Sequence, residues 1–282
     1  MMKGKIILKG TVELLSPALI GSGKDEKSDM DVLKDSQGRV YIPSTSFTGM
    51  LRHYIKINDK NNLELFWGSS NEETDPQKIR QSSIRIDDLL PLNEISTVIR
   101  DGVKINNTKG IAEEGAKFDY EVIEPGAKFA LNIEVTLYDS DNDFKRRMVA
   151  TIIDVLKNEK ITIGAKTNSG LGRIKLTDYK IYEFDFSKKE DVLRWLKQDF
   201  SVPSNSEVKP FEPHLKTFTI SADFVIKNSL IVRSYNYDPD MPDVEHIKSN
   251  NKPVLPGTSL KGTIRARSER IMVLQTFLWI HI

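Results

Sequence analysis

The sequence contains no cysteine, which excludes disulfides, thiolate metal sites and a cysteine nucleophile, and fits a reducing compartment, read here as the cytoplasm. Histidine is almost as scarce. His53, His214, His246 and His281 stand far apart, and none has the spacing that holds zinc. Long hydrophobic runs are missing too: the most apolar stretch, Ile271 to Ile282, is about a dozen residues, against roughly 20 for a membrane span, so no membrane partner is expected. The first residues, MMKGKIILKGTVELL, mix charge with apolar residues and hold no signal-peptide core. Neither sign of charge dominates, with 41 basic and 40 acidic residues and a net charge of +1. That excludes a strongly basic coat for nucleic acid, while a local basic groove offset by acid elsewhere remains open.

What is present is an ordinary folding composition, 39% hydrophobic and 29% charged over 282 residues, enough for one large core or two smaller ones. Lys5 to Leu15 alternates as a strand does, Ser16 to Lys34 reads as a long polar loop, and Val40 to Pro43 is a short strand. Ser44, Thr45 and Ser46 offer N-caps for a helix to about Ile57, with Phe47, Met50, Leu51, Tyr54 and Ile55 on one face. Ser83 to Asp88 reads as a strand. Arg100 to Tyr120, with Asn106, Asn107 and Gly110 between two arms, reads as a protruding hairpin. Glu121 to Leu137 is expected as a strand pair about Pro125-Gly126, and Phe144 to Lys157 as a helix striped by Met148, Ile152, Val155 and Leu156. Ile161 to Ile163, a glycine-rich loop and Ile174 to Phe184 complete a β-α-β-β-α-β order, which predicts a ferredoxin-like α+β domain.

The domain is placed at residues 1–186, followed over 187–216 by a linker holding a short helix, and by a second domain over 217–282. Thr217 to Ile226 mirrors the opening strand, and LPGTSLKGTIR at 255–265 matches IPSTSFTGMLR at 42–52 with Pro, Thr, Ser, Gly and Arg in register. An internal duplication is the simplest account. A helix start presents unpaired N–H groups and partial positive charge, so Ser44, Thr45 and Ser46, and Thr258 and Ser259, suit a phosphate. Gly49 and Gly262 leave room for another backbone one turn on, and Arg52 and Arg265 follow. For one copy a plain capped helix competes evenly; two copies in register favour function. TNSGLGRIKL at 167–176 is not a dinucleotide fingerprint, because a strand follows it where that motif needs a helix.

Taken together, VLKDSQGRVYIPSTSFTGMLR, the LFWG at 65–68, RDGVKINN with GAKFDYE, and TNSGLGRIKL resemble the RAMP superfamily of CRISPR-associated proteins, most closely the Csm/Cmr-type backbone subunits of type III effector complexes. The likeness covers most of residues 1–185, and VLPGTSLKGTIRAR begins a second copy. It implies a ferredoxin-like (RRM-like) core that binds guide RNA along its face, and a hairpin thumb that wedges into the guide–target duplex. Implied partners are guide RNA, complementary target RNA and other RAMP subunits. Backbone contacts are assigned to Lys34, Ser44, Thr45, Ser46, Gly49, Arg52, Arg100, Lys104, Lys109, Lys166, Ser169, Gly170, Gly172, Arg173, Thr258, Ser259, Lys261 and Arg265; each charge among them also has a reading as plain surface.

In that family an aspartate in the loop before the IPGSS-like element drives cleavage of bound target RNA. Counting back from VLKD places Asp29 on it, as metal ligand and catalytic acid, with Asp31 competing and Asp243 as the counterpart before the second copy. The implied cofactor is Mg²⁺, assisting attack of a 2′-hydroxyl on its own phosphate. Two other readings stay open: a solvated acidic loop in a purely structural RNA-binding subunit, or a guide-processing endoribonuclease in which His53 acts. A complete second domain needs its own thumb and glycine loop, so 217–282 is expected to be only the N-terminal part of one.

Overall fold

The computed structural model describes residues 2–21, 30–56, 60–69, 79–106, 111–138, 142–204, 208–212, 218–235 and 244–280. Its centre is strand β1 (Met2–Leu14). Ile6, Leu8, Val12 and Leu14 share one face of it by the period of two and are all buried. Both edges of β1 are used: β5 (Lys128–Tyr138) and β6 (Ile174–Asp185) pair with it antiparallel, placing Leu8 opposite Ile133 on one side and Ile181 on the other. β2 (Ile84–Ile86) adds to the outer edge of β5, giving the order β2-β5-β1-β6.

Two helices close one face of this sheet. α1 (Ser44–Tyr54) turns Phe47 and Leu51 inward, with Ile55 just beyond its end, and α3 (Asn142–Lys157) contributes Met148, Ile152, Val155 and Leu156, the stripe expected from the sequence. Lys145 is fully buried on α3. Its Nζ donates to the Thr136 carbonyl at 2.9 Å and lies 4.5 Å from the Tyr138 ring centre, which offsets the cost of burying an ammonium group. A further short helix, α2 (Lys60–Trp67), carries the buried Phe66 and Trp67.

The opposite face is not bare. Ile7, Tyr182 and Phe184 are buried there beneath Phe186, Trp195 of helix α4 (Lys189–Leu196) and Phe200. Farther on, Phe211 donates its N–H to the Thr151 hydroxyl at 2.8 Å and packs against Phe144. The stretch expected as a linker over 187–216 is therefore, in its described part, packed onto the first domain, because its three large aromatic rings have apolar surface to cover.

β3 (Thr97–Asn106) and β4 (Ile111–Ile123) form a separate antiparallel hairpin, in one register from Thr97–Ile123 to Val103–Lys117 and, after a register shift, from Ile105–Ala112 to Asn106–Ile111. Its base is buried at Tyr120 and Val122, whereas Ile99, Val103, Ile105 and Ile111 are exposed along its length. The expected strand pair about Pro125-Gly126 is not formed. That turn instead passes the chain from the hairpin to the central sheet, since β5 takes β1 and β2 as its partners.

Phe218–Ile226, expected as the second domain's first strand, has no regular structure, for no strand is available to pair with it among the described residues. Beyond it come β7 (Arg233–Tyr235) paired with β8 (Val244–His246), then β9 (Lys248–Ser249) paired with β10 (Lys252–Pro253), and helix α5 (Gly257–Ile280). His246 ties this part together as a structural residue. Its Nδ1 accepts from the Val232 N–H at 3.1 Å, which makes Nε2 the donor to the Val254 carbonyl, also at 3.1 Å.

Phe184 is fully buried between β1 and the α4 layer, so Phe184→Ala is expected to cost about 3–5 kcal/mol. Ile105→Ala on the exposed hairpin is expected to stay within about 0.5 kcal/mol. Urea unfolding of the two variants checks the contrast.

Candidate nucleic-acid interface

Three segments far apart in sequence meet at the base of the hairpin, on the adjacent residues Tyr120 and Glu121. The segment before α1 arrives first. The Glu121 N–H donates to the Met30 carbonyl at 2.9 Å, and its carboxylate accepts from the Val32 N–H at 3.0 Å, Lys34 Nζ at 3.0 Å and the Thr97 hydroxyl at 2.6 Å. Burial pushes the Glu121 carboxyl up, but the hydrogen bonds from Thr97, Val32 and Lys34 outweigh it and hold the group below its ordinary range. Glu121 is thus a fixed anion clasping residues 30–34 to the hairpin. Asp31 lies within that clasped segment, is buried, and has a partner of its own.

The glycine loop arrives from the other side. Lys166, in the left-handed conformation at φ 56°, places its Nζ 3.4 Å from the Tyr120 ring centre and 4.2 Å from that of Phe118. Burial pushes its amine down to about 8. A short 3-10 turn, Thr167–Ser169, follows, and Gly172 donates to the Pro17 carbonyl at 2.7 Å. Gly172 has φ 76°, and a Cβ there would overlap the Ile163 carbonyl oxygen, so both conformation and space demand glycine.

On α1 the residues opposite the buried stripe form a second surface. Thr45, Gly49 and Arg52 are all exposed at spacings of four and three, hence on one helix face, with Ser46 beside them. Among the described residues nothing lies within 4 Å of the position a Cβ would take on Gly49, so none of them uses the room left by that glycine. The N-cap residue, Pro43, offers no side-chain hydrogen bond. The Ser44 N–H instead donates to the Asp88 carboxylate at 2.7 Å, so one of the donors expected for phosphate already faces an acid. Arg52 reaches the Gly68 carbonyl at 3.4 Å, and His53 is exposed in the last turn.

Several expected contacts change meaning in this setting. Arg100 is buried and pairs with the buried Glu124 at 3.3 Å, so it is a structural cation and not a phosphate contact. Lys34 is committed to Glu121, and Arg173 to the partly exposed Glu159 at 2.6 Å, a surface pair of little stabilising weight. Ser169 and Gly170 abut the second copy of the element: a Cβ on Gly257 would overlap the Ser169 carbonyl oxygen, which brings Thr258 and Ser259 to the first domain's glycine loop. The turn at Asn250 docks nearby on Glu124, which accepts from the Asn250 N–H at 2.6 Å and the Ser249 hydroxyl at 2.8 Å. Gly262 and Lys261 are exposed, and Arg265 pairs with Glu269 at 2.8 Å. Lys104 lies on β3. Asp29, Lys109 and Asp243 lie outside the described residues.

Glu121, Tyr120 and Phe118 escaped notice as site residues although GAKFDYE contributes to the resemblance. An acid and two aromatics in a strand carry no motif until the partner segments are seen. Among the described residues no group of three or more acids or histidines could hold a metal, and no helix is long and apolar enough to cross a membrane.

A family model for the RAMP superfamily matches residues 11–175, a span that contains the acidic segment, α1, the hairpin and the glycine loop. The chain belongs to the RAMP superfamily. Within the curated proteins this RAMP chain is 24% identical over 206 residues, 64% of its own length and 82% of the relative's, to a protein of Methanocaldococcus jannaschii named CRISPR system Cms endoribonuclease Csm3.

The lysine at the meeting point gives a pH signature. Its folded amine titrates near 8 against the ordinary 10.5, so the unfolded chain binds more protons between those values, and stability rises with pH across that window. Urea titrations between pH 8 and 9.5 are expected to show this rise, and Lys166→Met is expected to remove it.

Proposed function

We propose that the chain is a guide-RNA-binding backbone subunit of a type III CRISPR effector, working in the cytoplasm, and that it cleaves bound target RNA with an aspartate of the loop before α1. The observation that carries this reading is the convergence on Tyr120 and Glu121 of the acidic segment, the hairpin and the glycine loop, within a RAMP chain related to a protein named as an endoribonuclease. The strand order β2-β5-β1-β6 with two helices on one face supports a ferredoxin-like core, and the repeated element supports a tandem.

RNA enters this reading by α1 and the loops, not across the sheet. The aromatics that a bare sheet would offer for stacking, Tyr182 and Phe184, are buried under α4 and Phe200. The exposed face of Thr45, Ser46, Gly49 and Arg52 suits an approaching sugar-phosphate backbone, with hydroxyls, an open glycine and one cation. Lys166 and Arg173 supply positive charge beside the hairpin. The exposed apolar residues of the hairpin, Val103, Ile105 and Ile111, suit a wedge between bases.

For cleavage, a 2′-hydroxyl attacks its adjacent phosphorus while losing its proton, the bond from phosphorus to the 5′-oxygen breaks, and that oxygen takes up a proton. The products are a 2′,3′-cyclic phosphate and a 5′-hydroxyl. Asp29 is the acid assigned to this step, because Asp31 is buried and engaged. Mg²⁺ would supply charge neutralisation at the phosphate. It would be held by Asp29 together with the RNA's own oxygens, an ordinary arrangement for this ion. Other RAMP subunits and complementary target RNA complete the assembly.

The assembled complex with its guide is the object to assay. Asp29→Ala is expected to lower target cleavage by about a hundredfold or more while guide binding stays unchanged. Equal cleavage by Asp29→Ala would contradict the assignment, and no cleavage by the unmutated complex in Mg²⁺ would leave a structural RNA-binding subunit. Arg52→Ala is expected to weaken guide binding and reduce the slope of log affinity against log salt by about one.

A further inference from the structure

The element repeated at 42–52 and 255–265 is preceded by a turn in both places, and the shared prolines Pro43 and Pro256 set residues 35–44 against 248–257 position by position. Two of these positions differ in kind: Lys248 stands where the first copy has Asp35, and Gly257 where it has Ser44. Both differences bear on the places where the second element touches the first domain.

The first copy closes its turn with its own acid. The Asp35 carboxylate accepts from the N–H groups of Gln37 and Arg39, each at 2.9 Å. Lys248 has no acceptor to offer in the same position. The N–H of Asn250, the counterpart of Gln37, donates instead to the buried Glu124 at 2.6 Å, joined by the Ser249 hydroxyl at 2.8 Å. The Asn250 side-chain amide then reaches the Pro125 carbonyl at 3.0 Å. One turn is thus satisfied from within, and the other by a carboxylate at the end of the hairpin.

The helix starts share one backbone arrangement: Phe47 donates to the Pro43 carbonyl at 3.1 Å, and its counterpart Leu260 to the Pro256 carbonyl at 3.2 Å. A Cβ on Gly257 would fall 2.2 Å from the Ser169 carbonyl oxygen, which is main chain and cannot swing aside as a side-chain tip can. Gly170, at φ 86°, lies against the same point. Any residue larger than glycine at 257 therefore holds the helix off the loop. Ser44 carries that extra carbon, and its N–H is already bonded to Asp88.

We infer that Glu124, Pro125, Ser169 and Gly170 form a dock for the repeated element, which Lys248 and Gly257 admit and which Asp35 and Ser44 exclude. The occupant is residues 249–257 of the same chain. An element bearing Asp35 would bring a second carboxylate towards Glu124 with its turn already satisfied, and Ser44 would collide with the Ser169 carbonyl. Selectivity thus comes from a repulsive feature in the excluded copy as well as a fit in the accepted one. The contact fixes the order of the two elements within one chain and does not join the first element of one molecule to the loop of another. The inference rests on the sequence repeat and is independent of whether the chain cleaves RNA.

The test uses the full chain and follows the Asn250 amide by hydrogen exchange, with the amides of β1 as internal reference. Gly257→Ala is expected to speed exchange at Asn250 by about tenfold or more while β1 is unchanged, although alanine favours the helix itself. Lys248→Asp is expected to act in the same direction. Gly262→Ala, with no described atom within 4 Å of the added carbon, is expected to leave the rate as it was. Sedimentation is expected to give Gly257→Ala the same mass as the unmutated chain, because the vacated dock rejects the element bearing Ser44. Unchanged exchange in Gly257→Ala, or an equal loss of protection in Gly262→Ala, would overturn the dock. A rise in mass for Gly257→Ala would overturn the exclusion.

Discussion

Everything in the first domain depends on β1 being hydrogen-bonded along both edges. A strand from the start of the chain can be central only if strands from much later return to flank it, and β5 and β6 do so from more than a hundred residues away. That closure fixes the face of Ile6, Leu8, Val12 and Leu14 and so the positions of α1 and α3. It also sets the hairpin base, since β4 leads directly into β5 through Pro125 and Gly126. The candidate site sits beside this closure: residues 30–34 and 164–173 meet residues 118–121 of the hairpin through the hydrogen bonds of Glu121 and the contact of Lys166 with the Tyr120 ring.

The site itself is held by charge in a partly dry setting. Glu121 binds main chain and side chain of the acidic segment at once, so the segment bearing Asp31 is located by hydrogen bonds and not by apolar packing alone. Lys166 lies over two aromatic rings and keeps a weakened hold on its proton. Arg100 and Glu124 form an internal pair that also receives the turn at Asn250, so the same buried acid secures both the hairpin's base and the turn before the repeated element.

Local pattern was legible where one element determines its own exposure. The stripes of α1 and α3, the alternation of β1 and the protruding hairpin follow from periods of 3.6 and 2, and the family resemblance agrees with the match over residues 11–175. What the sequence could not show are relations between elements. Arg100 reads as a surface cation until Glu124 is seen opposite it, and Glu121 is unremarkable until Val32 and Lys34 arrive. Ser44 reads as a cap, yet Asp88 takes its N–H. Thr217 to Ile226 reads as a strand because its pattern is that of one, but a strand needs partners as well as a pattern.

The central claim is that RNA is held at α1 and at the glycine loop beside the hairpin, with the sheet face closed. Photocrosslinking of a guide substituted with 4-thiouridine, followed by peptide mapping of the assembled complex, tests it most directly. Crosslinks are predicted within residues 44–52 and 164–173. Crosslinks confined to α4, Phe200 and the adjoining strands β1 and β6 would contradict it.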